Sequence, residues 1–328
     1  MNAKPGADSD PLSSLIRLCG LSGSLDLRCR MAGPYVVDHT ASPPGEAAFH
    51  MVLDGGCRIE TATGQAICRP GDLVLLPIGT AHRVVCLSAG LDSRAWISRN
   101  TGLSVSEVPG PPELDLICGR FGYQPTAGAL LFNDLPDLLH IPQAELPPSL
   151  AEMIRADATS RPPGATELVT ALTSVIFIIA IRRHLRNAPL DRGMLALIPD
   201  RGLAEALMAI LREPAAPWTI DRLARRAHMS RATFLRRFTA AAGRGPADLL
   251  LDIRVHIAMR LLRDSGRSMG DIAHSVGYRS VTAFGRAFTR RTGITMSQAR
   301  RRQVSPEPET SLAPSMTGRV LGARSAAG

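Results

Sequence analysis

SRATFLRRFTAAAG, residues 230–243, and SVTAFGRAFTRRTG, residues 280–293, are two versions of one pattern. Serine opens each stretch, phenylalanine stands at Phe234 and Phe238 in the first and at Phe284 and Phe288 in the second, and Gly243 and Gly293 close them. Aromatic residues at i and i+4 fall on one face of a helix. A serine before the first turn caps its free N–H groups, and a glycine after the last turn stops it. A match at this offset means one structural unit used twice.

Working outward, Thr219 caps a helix running to about Ala227, and His228-Met229 makes the turn before Ser230. In the second copy Ser268 caps a helix through Asp271-Ile272-Ala273, and Gly277-Tyr278 makes the turn before Ser280. Each unit therefore reads helix, tight turn, helix. Between the units, Pro246 to Asp264 reads as one unbroken helix with Ile253, Ile257 and Leu261 on a stripe and Gly266 just past its end. At 1.5 Å per residue this strut is about 28 Å long, enough to set two reading helices about one DNA turn apart.

With the phenylalanines turned inward, Arg231, Ala232, Leu235, Arg236 and Thr239 face outward in the first unit, and Val281, Thr282, Gly285, Arg286 and Arg290 in the second. These ten residues are the expected DNA-contacting set. Arginine pairs bidentately with guanine O6 and N7, so Arg236 and Arg286 are the expected base readers, with phosphate contact the alternative role. The charge agrees: residues 212–302 carry a net +13 against the chain's +9, leaving −4 for everything else. Positive charge confined to one segment is the footprint of a polyanion binder.

Over residues 218–302 the sequence resembles the DNA-binding domain of the AraC/XylS transcription regulators. The resemblance rests on Ile220-Asp221, Leu223-Ala224, Met229-Ser230, Phe234, Arg236, Phe238, Gly243 and Pro246, then Ile272-Ala273, Val276-Gly277-Tyr278, Phe284, Arg286, Phe288 and Gly293. Met296 and Ala299 depart from the family's usual Pro and aromatic residue. The resemblance implies a homodimer that binds promoter DNA sequence-specifically, meets RNA polymerase, and acts as an activator.

The N-terminal half has another grammar. Phe49–Leu53, Cys57–Glu60, Leu73–Leu76 and Arg83–Leu87 read as short strands separated by Asp54-Gly55-Gly56, Pro70-Gly71 and Pro77-Ile78-Gly79. That spacing argues for a small barrel or sandwich. Pro70 to His82 resembles the second motif of the cupin barrel, which implies a sensor for a small molecule or oxidant. The first motif supplies only His50, with Val52 where a second histidine would stand; with His82 this makes two ligand candidates against the three usual for a catalytic metal. No metal or other cofactor is expected. The rival class, a cupin-type metal-dependent enzyme with a basic nucleic-acid-binding appendage, would require one.

All six cysteines precede residue 119 and none form zinc-type spacings. Cys29 and Cys118 resemble positions with which redox-responsive members of the family sense reactive chlorine species, and the charges of Arg28 and Arg30, which flank Cys29 in sequence, are expected to favour a reactive thiolate. Leu168 to Ile181 is apolar for about 14 residues, short of the roughly 20 needed to span a bilayer, and reads as a buried helix that also serves dimerisation. Met1 to Asp10 lacks the apolar core of a signal peptide, so a cytoplasmic protein is expected, with no membrane partner.

The expected fold is α+β in two domains: a disordered N-terminus at 1–14, a cupin-like β-barrel at 15–118, dimerisation helices at 119–212, an all-α double helix-turn-helix domain at 213–302, and a disordered tail at 303–328.

Overall fold

The computed structural model describes residues 10–31, 36–87, 104–106, 113–133, 135–160, 163–187, 190, 192–264 and 266–304. In chain order the elements are α1 (Pro11–Cys19), β1 (Ser22–Met31), β2 (Val36–His39), β3 (Glu46–Gly55), β4 (Cys57–Glu60), β5 (Gln65–Cys68), β6 (Leu73–Leu76), β7 (His82–Cys86), β8 (Ser104–Ser106), β9 (Leu114–Gly122), α2 (Pro125–Phe132) and β10 (Leu139–Ile141). There follow α3 (Pro148–Ser160), α4 (Ala165–Asn187), α5 (Arg201–Arg212), α6 (Ile220–Arg226), α7 (Arg231–Ala242), α8 (Pro246–Asp264), α9 (Met269–Ser275), α10 (Val281–Thr292) and α11 (Met296–Val304).

The strands with α3 and α4 make one compact unit. It has a six-stranded sheet ordered β10-β6-β3-β9-β1-β8 and a four-stranded sheet ordered β2-β7-β4-β5. Side chains of both sheets share one core: Leu27, Cys29, Val74, Leu116 and Cys118 from the first, and Val37, Cys57, Ile59, Cys68 and Val84 from the second. This is the cupin-like architecture expected. In β1 the apolar Leu27, Cys29 and Met31 alternate with Asp26, Arg28 and Arg30, the period of a half-buried strand. Helix α4 covers the outer face of the larger sheet. Its Phe177 ring packs on Phe121, and Thr170 bonds the Gly23 carbonyl at 3.2 Å. That contact explains an apolar helix within a single chain, because Leu172, Ile176, Phe177, Ala180 and Ile181 are all buried. No described helix is long and apolar enough to cross a membrane.

Helices α1, α2 and α5–α11 make the other unit. It takes in α2 from the stretch expected to hold dimerisation helices, and it differs from the expected boundaries in two further ways. First, α5 belongs here, burying Leu203, Ala206, Leu207 and Ile210, so the unit begins before residue 213. Second, α1 starts at Pro11, inside the stretch expected to be disordered, because Asp10 accepts a bond from the Ser13 amide and Leu12 and Leu15 have a core to enter. Residues 1–9 and 305–328 lie outside the described residues.

All four predicted N-caps form: Thr219, Ser230, Ser268 and Ser280 each accept from the amide three residues on. Gly243 and Gly293 end α7 and α10 in the left-handed region, at φ 68° and 74°. Phe234, Phe238, Phe284 and Phe288 are each fully buried. Met296 and Ala299, the departures from the family pattern, sit in the second unit's core beside Phe284 and Phe288.

Candidate functional site: a two-copy arginine surface and a histidine-thiol interior

On α7, Arg231, Ala232, Arg236 and Thr239 are exposed and Leu235 is half-buried. On α10, Val281, Thr282, Arg286 and Arg290 are exposed and Gly285 is half-buried. The buried phenylalanines thus turn the expected set outward in both copies.

The arginines of this surface divide into held and free. Arg231 pairs with Asp221 at 3.0 Å, and Arg237 is tied to Asp200. Arg291 bonds the Asp252 carboxylate through Nη2 at 2.6 Å, and Arg244 reaches the same carboxylate at 2.7 Å. Asp252 is 8% exposed and sits on α8, so one buried anion ties the end of the first unit to the reading helix of the second. Arg236, Arg286 and Arg290 form no side-chain hydrogen bond or ion pair with any described residue. A guanidinium that is always charged and has no internal partner is available to a base edge or phosphate.

The two units are fastened together a second time. Arg254 of α8 donates to the carbonyls of Pro214 (2.8 Å) and Ala216 (2.9 Å) and lies 5.3 Å over the Tyr278 ring. A Cβ on Gly277 would stand 2.2 Å from the Ala215 carbonyl oxygen. The second turn is therefore a contact surface as well as a turn.

In the sheet unit, Cys29 and Cys118 lie on β1 and β9, which pair antiparallel with Leu27 opposite Cys118. Both are buried. A hydrogen bond with the Cys29 thiol, then burial, pushes the Cys118 thiol well above the usual thiol range. Arg28 and Arg30 do not face the Cys29 sulfur as their place in the sequence suggests, because neighbours in a strand point to opposite faces. Arg28 is paired with Asp115 at 2.6 Å instead.

His50 and His82 are brought together at 2.7 Å, Nε2 to Nε2. Sequence reasoning missed the third member, His39, whose ring stacks on His82 at 4.5 Å between centroids. Its position follows from the register of β2 on β7, which sets His39 directly opposite His82. Nothing local in the sequence reports that pairing. Asp72 of the cupin-like motif serves as a structural tie, accepting from the His140 ring and from the amides of Arg69 and Gln143.

The chain matches the family model described as Cupin over residues 10–186 and the one described as helix-turn-helix domain over residues 223–302. It is 30% identical to an uncharacterized HTH-type transcriptional regulator of Haemophilus influenzae, covering 89% of this chain and 98% of the relative. It is 27% identical to the RCS-specific HTH-type transcriptional activator RclR of Escherichia coli, covering 90% and 100%. A third relative, named as a putative AraC-like transcription regulator of Streptomyces lividans, is 30% identical over 90% of this chain and all of its own length.

Proposed function

The chain belongs to the AraC-like HTH-type transcription regulators that carry a cupin N-terminal domain, and from that premise we propose that it is a cytoplasmic homodimeric activator whose α7 and α10 read promoter DNA. Its relatives are transcription regulators, which favours this reading over a cupin-type enzyme. The observation that carries the reading is the pair Arg236 and Arg286: same place in two copies, both exposed, both without an internal partner among the described residues. Phosphates are met by the remaining cations of the segment, and RNA polymerase is the partner at the promoter. Footprinting on the gene's own upstream region tests this. Protection of two adjacent major grooves on one face is expected, and protection without sequence preference contradicts it.

For the dimer, Leu168, Ala171 and Val175 are exposed at i, i+3 and i+7 on α4. This stripe is left over after the opposite face has covered the sheet, and it supports self-association of two chains there. Val175→Glu is expected to lower the sedimentation mass to that of one chain.

The signal is proposed to be an oxidant acting on Cys29 and Cys118. Their place as buried cysteines on neighbouring, paired strands supports this, as does the name of the RCS-specific relative. Two thiols would give a disulfide and two protons, with the electron pair reducing hypochlorous acid to chloride and water. Because the Cys118 thiol is held protonated, a weak oxidant would act slowly. Hypochlorite treatment followed by thiol mapping should find this pair joined. Unchanged transcriptional response in Cys29→Ser and Cys118→Ser would end the oxidant reading and leave a small-molecule effector.

A further inference from the structure

We propose that the interior of the cupin-like unit is a binding site for a late first-row transition-metal ion, held by the imidazoles of His39 on β2, His50 on β3 and His82 on β7. The inference stands apart from the DNA-binding reading, because every residue in it lies in the sheet unit.

One ring nitrogen from each histidine lies within 4.8 Å of the other two. His39 and His82 are stacked with 5° between their planes, and His50 meets them edge-on at 60° and 61°. The donors come from both sheets: His39 and His82 from the smaller, His50 from the larger. The third donor lies outside both strands of the cupin-like motif, so this is not the motif's usual ligand set, which Val52 breaks.

Hydrogen bonding aims the lone pairs. The His82 Nδ1 is 2.9 Å from the Thr80 carbonyl oxygen, and a carbonyl can only accept. Nδ1 therefore carries the proton, and the neutral ring presents a bare Nε2 toward His50. An outer N–H fixed on a backbone carbonyl is the usual support of a metal-ligating histidine. The His50 Nδ1 is 3.1 Å from the Cys118 sulfur, which supplies the matching outer contact when His50 also turns a bare Nε2 inward. The 2.7 Å contact is satisfied when the His50 Nε2–H donates to the bare His82 nitrogen, and a cation bound by both rings would take the place of that single proton. Burial also keeps these rings unprotonated: it pushes His39 down to about 4 and lowers His50 and His82.

The dimensions fit. A tetrahedral ion with nitrogen ligands at about 2.0–2.1 Å needs its donors about 3.3 Å apart. The observed 2.7 Å contact must open slightly and the widest separation, up to 4.8 Å, must close by about 1.5 Å. Side-chain rotation covers both. Neutral imidazole donors with no carboxylate in the cluster suit zinc, copper, iron or nickel rather than magnesium or calcium. Three ligands leave a fourth position for water or a small anion.

The experiment uses full-length protein and Zn2+ alone, in competition with a chromophoric chelator, with X-ray absorption on the loaded sample. One equivalent per chain is expected, with three or four nitrogen or oxygen scatterers near about 2.0 Å. His39→Asn, on the edge strand β2, and His82→Asn should each weaken binding by about 100-fold or more, while the exposed-site control His228→Ala leaves it unchanged. Circular dichroism and DNA binding report whether the variants fold. Folded wild type that takes no stoichiometric zinc overturns the site. So does wild-type affinity in both asparagine variants, or a shell of sulfur scatterers near about 2.3 Å, which would place the ion on the cysteines.

Discussion

The two helix-turn-helix units share their caps, phenylalanines and terminal glycines, yet their turns are built differently. In the first, His228 takes a left-handed φ of 54°, the one non-glycine residue with positive φ among the described residues. Its side chain is 82% exposed and only brushes Glu205 at 3.5 Å. In the second, Gly277 takes φ 87° with the Ala215 carbonyl where a side chain would be. The first turn points its left-handed residue into solvent, with room for a side chain; the second packs its left-handed residue against the lead-in to the first unit and has none. The repeat preserves the outward arginine and lets each turn adapt to its own neighbours.

The comparison is most easily broken at Gly277. Gly277→Ala adds a Cβ in a disfavoured backbone region and drives it into a backbone carbonyl, so a loss of about 3 kcal/mol or more is expected in denaturant unfolding of the helical unit. His228→Ala, at the matching turn, should change stability by less than about 0.5 kcal/mol. Equal effects at the two turns would show that they are built alike after all.

Next in size is the clasp. Asp252→Ala removes the anion shared by Arg244 and Arg291, and about 2 kcal/mol is the expected loss, discounted because both arginines remain partly solvated. Denaturation together with DNA affinity checks it: Arg291 would be released onto the reading surface, so non-specific affinity should rise as stability falls.

The strut between the units carries a pH signature. His256 on α8 is 1% exposed, with Nδ1 3.0 Å from the Thr126 hydroxyl, and burial followed by the nearby Arg260 charge pushes its imidazole down to about 4. An unfolded chain binds that proton near about pH 6.5. The stability contribution is therefore complete above about pH 6.5 and is lost as pH falls toward 4, by up to about 1.4 kcal/mol per pH unit. His256→Phe should flatten that slope for the helical unit; an unchanged slope would assign it elsewhere. Smaller again, His228→Gly relieves the left-handed strain and should stabilise by about 1 kcal/mol, read as an upward shift in thermal midpoint.

Much of this was legible in the sequence because it is local. Serine caps, Phe pairs at i, i+4 and terminal glycines each act within one helix, so the helical unit and its outward arginines follow from spacing. The strands Cys57–Glu60 and Leu73–Leu76 appear with the ends expected. The alternation in β1 was legible too, and it shows Cys29 facing away from Arg28 and Arg30, against the simple reading of flanking charge. What was not legible depends on partners far along the chain: His39 opposite His82, Asp252 between two arginines, and α1 and α2 packing with the helical unit although they lie within the N-terminal half. No window of sequence contains those pairings.

The central claim is that Arg236 and Arg286 read bases from equivalent places in two copies. Affinity for the protein's own upstream promoter and for random DNA, measured at one salt concentration for wild type, Arg236→Ala and Arg286→Ala, tests it directly. Each variant should lose about 1–3 kcal/mol on the promoter, relax preference at one base position in its own groove, and bind random DNA nearly as before. Equal losses on both DNAs would make these arginines phosphate contacts and contradict the account.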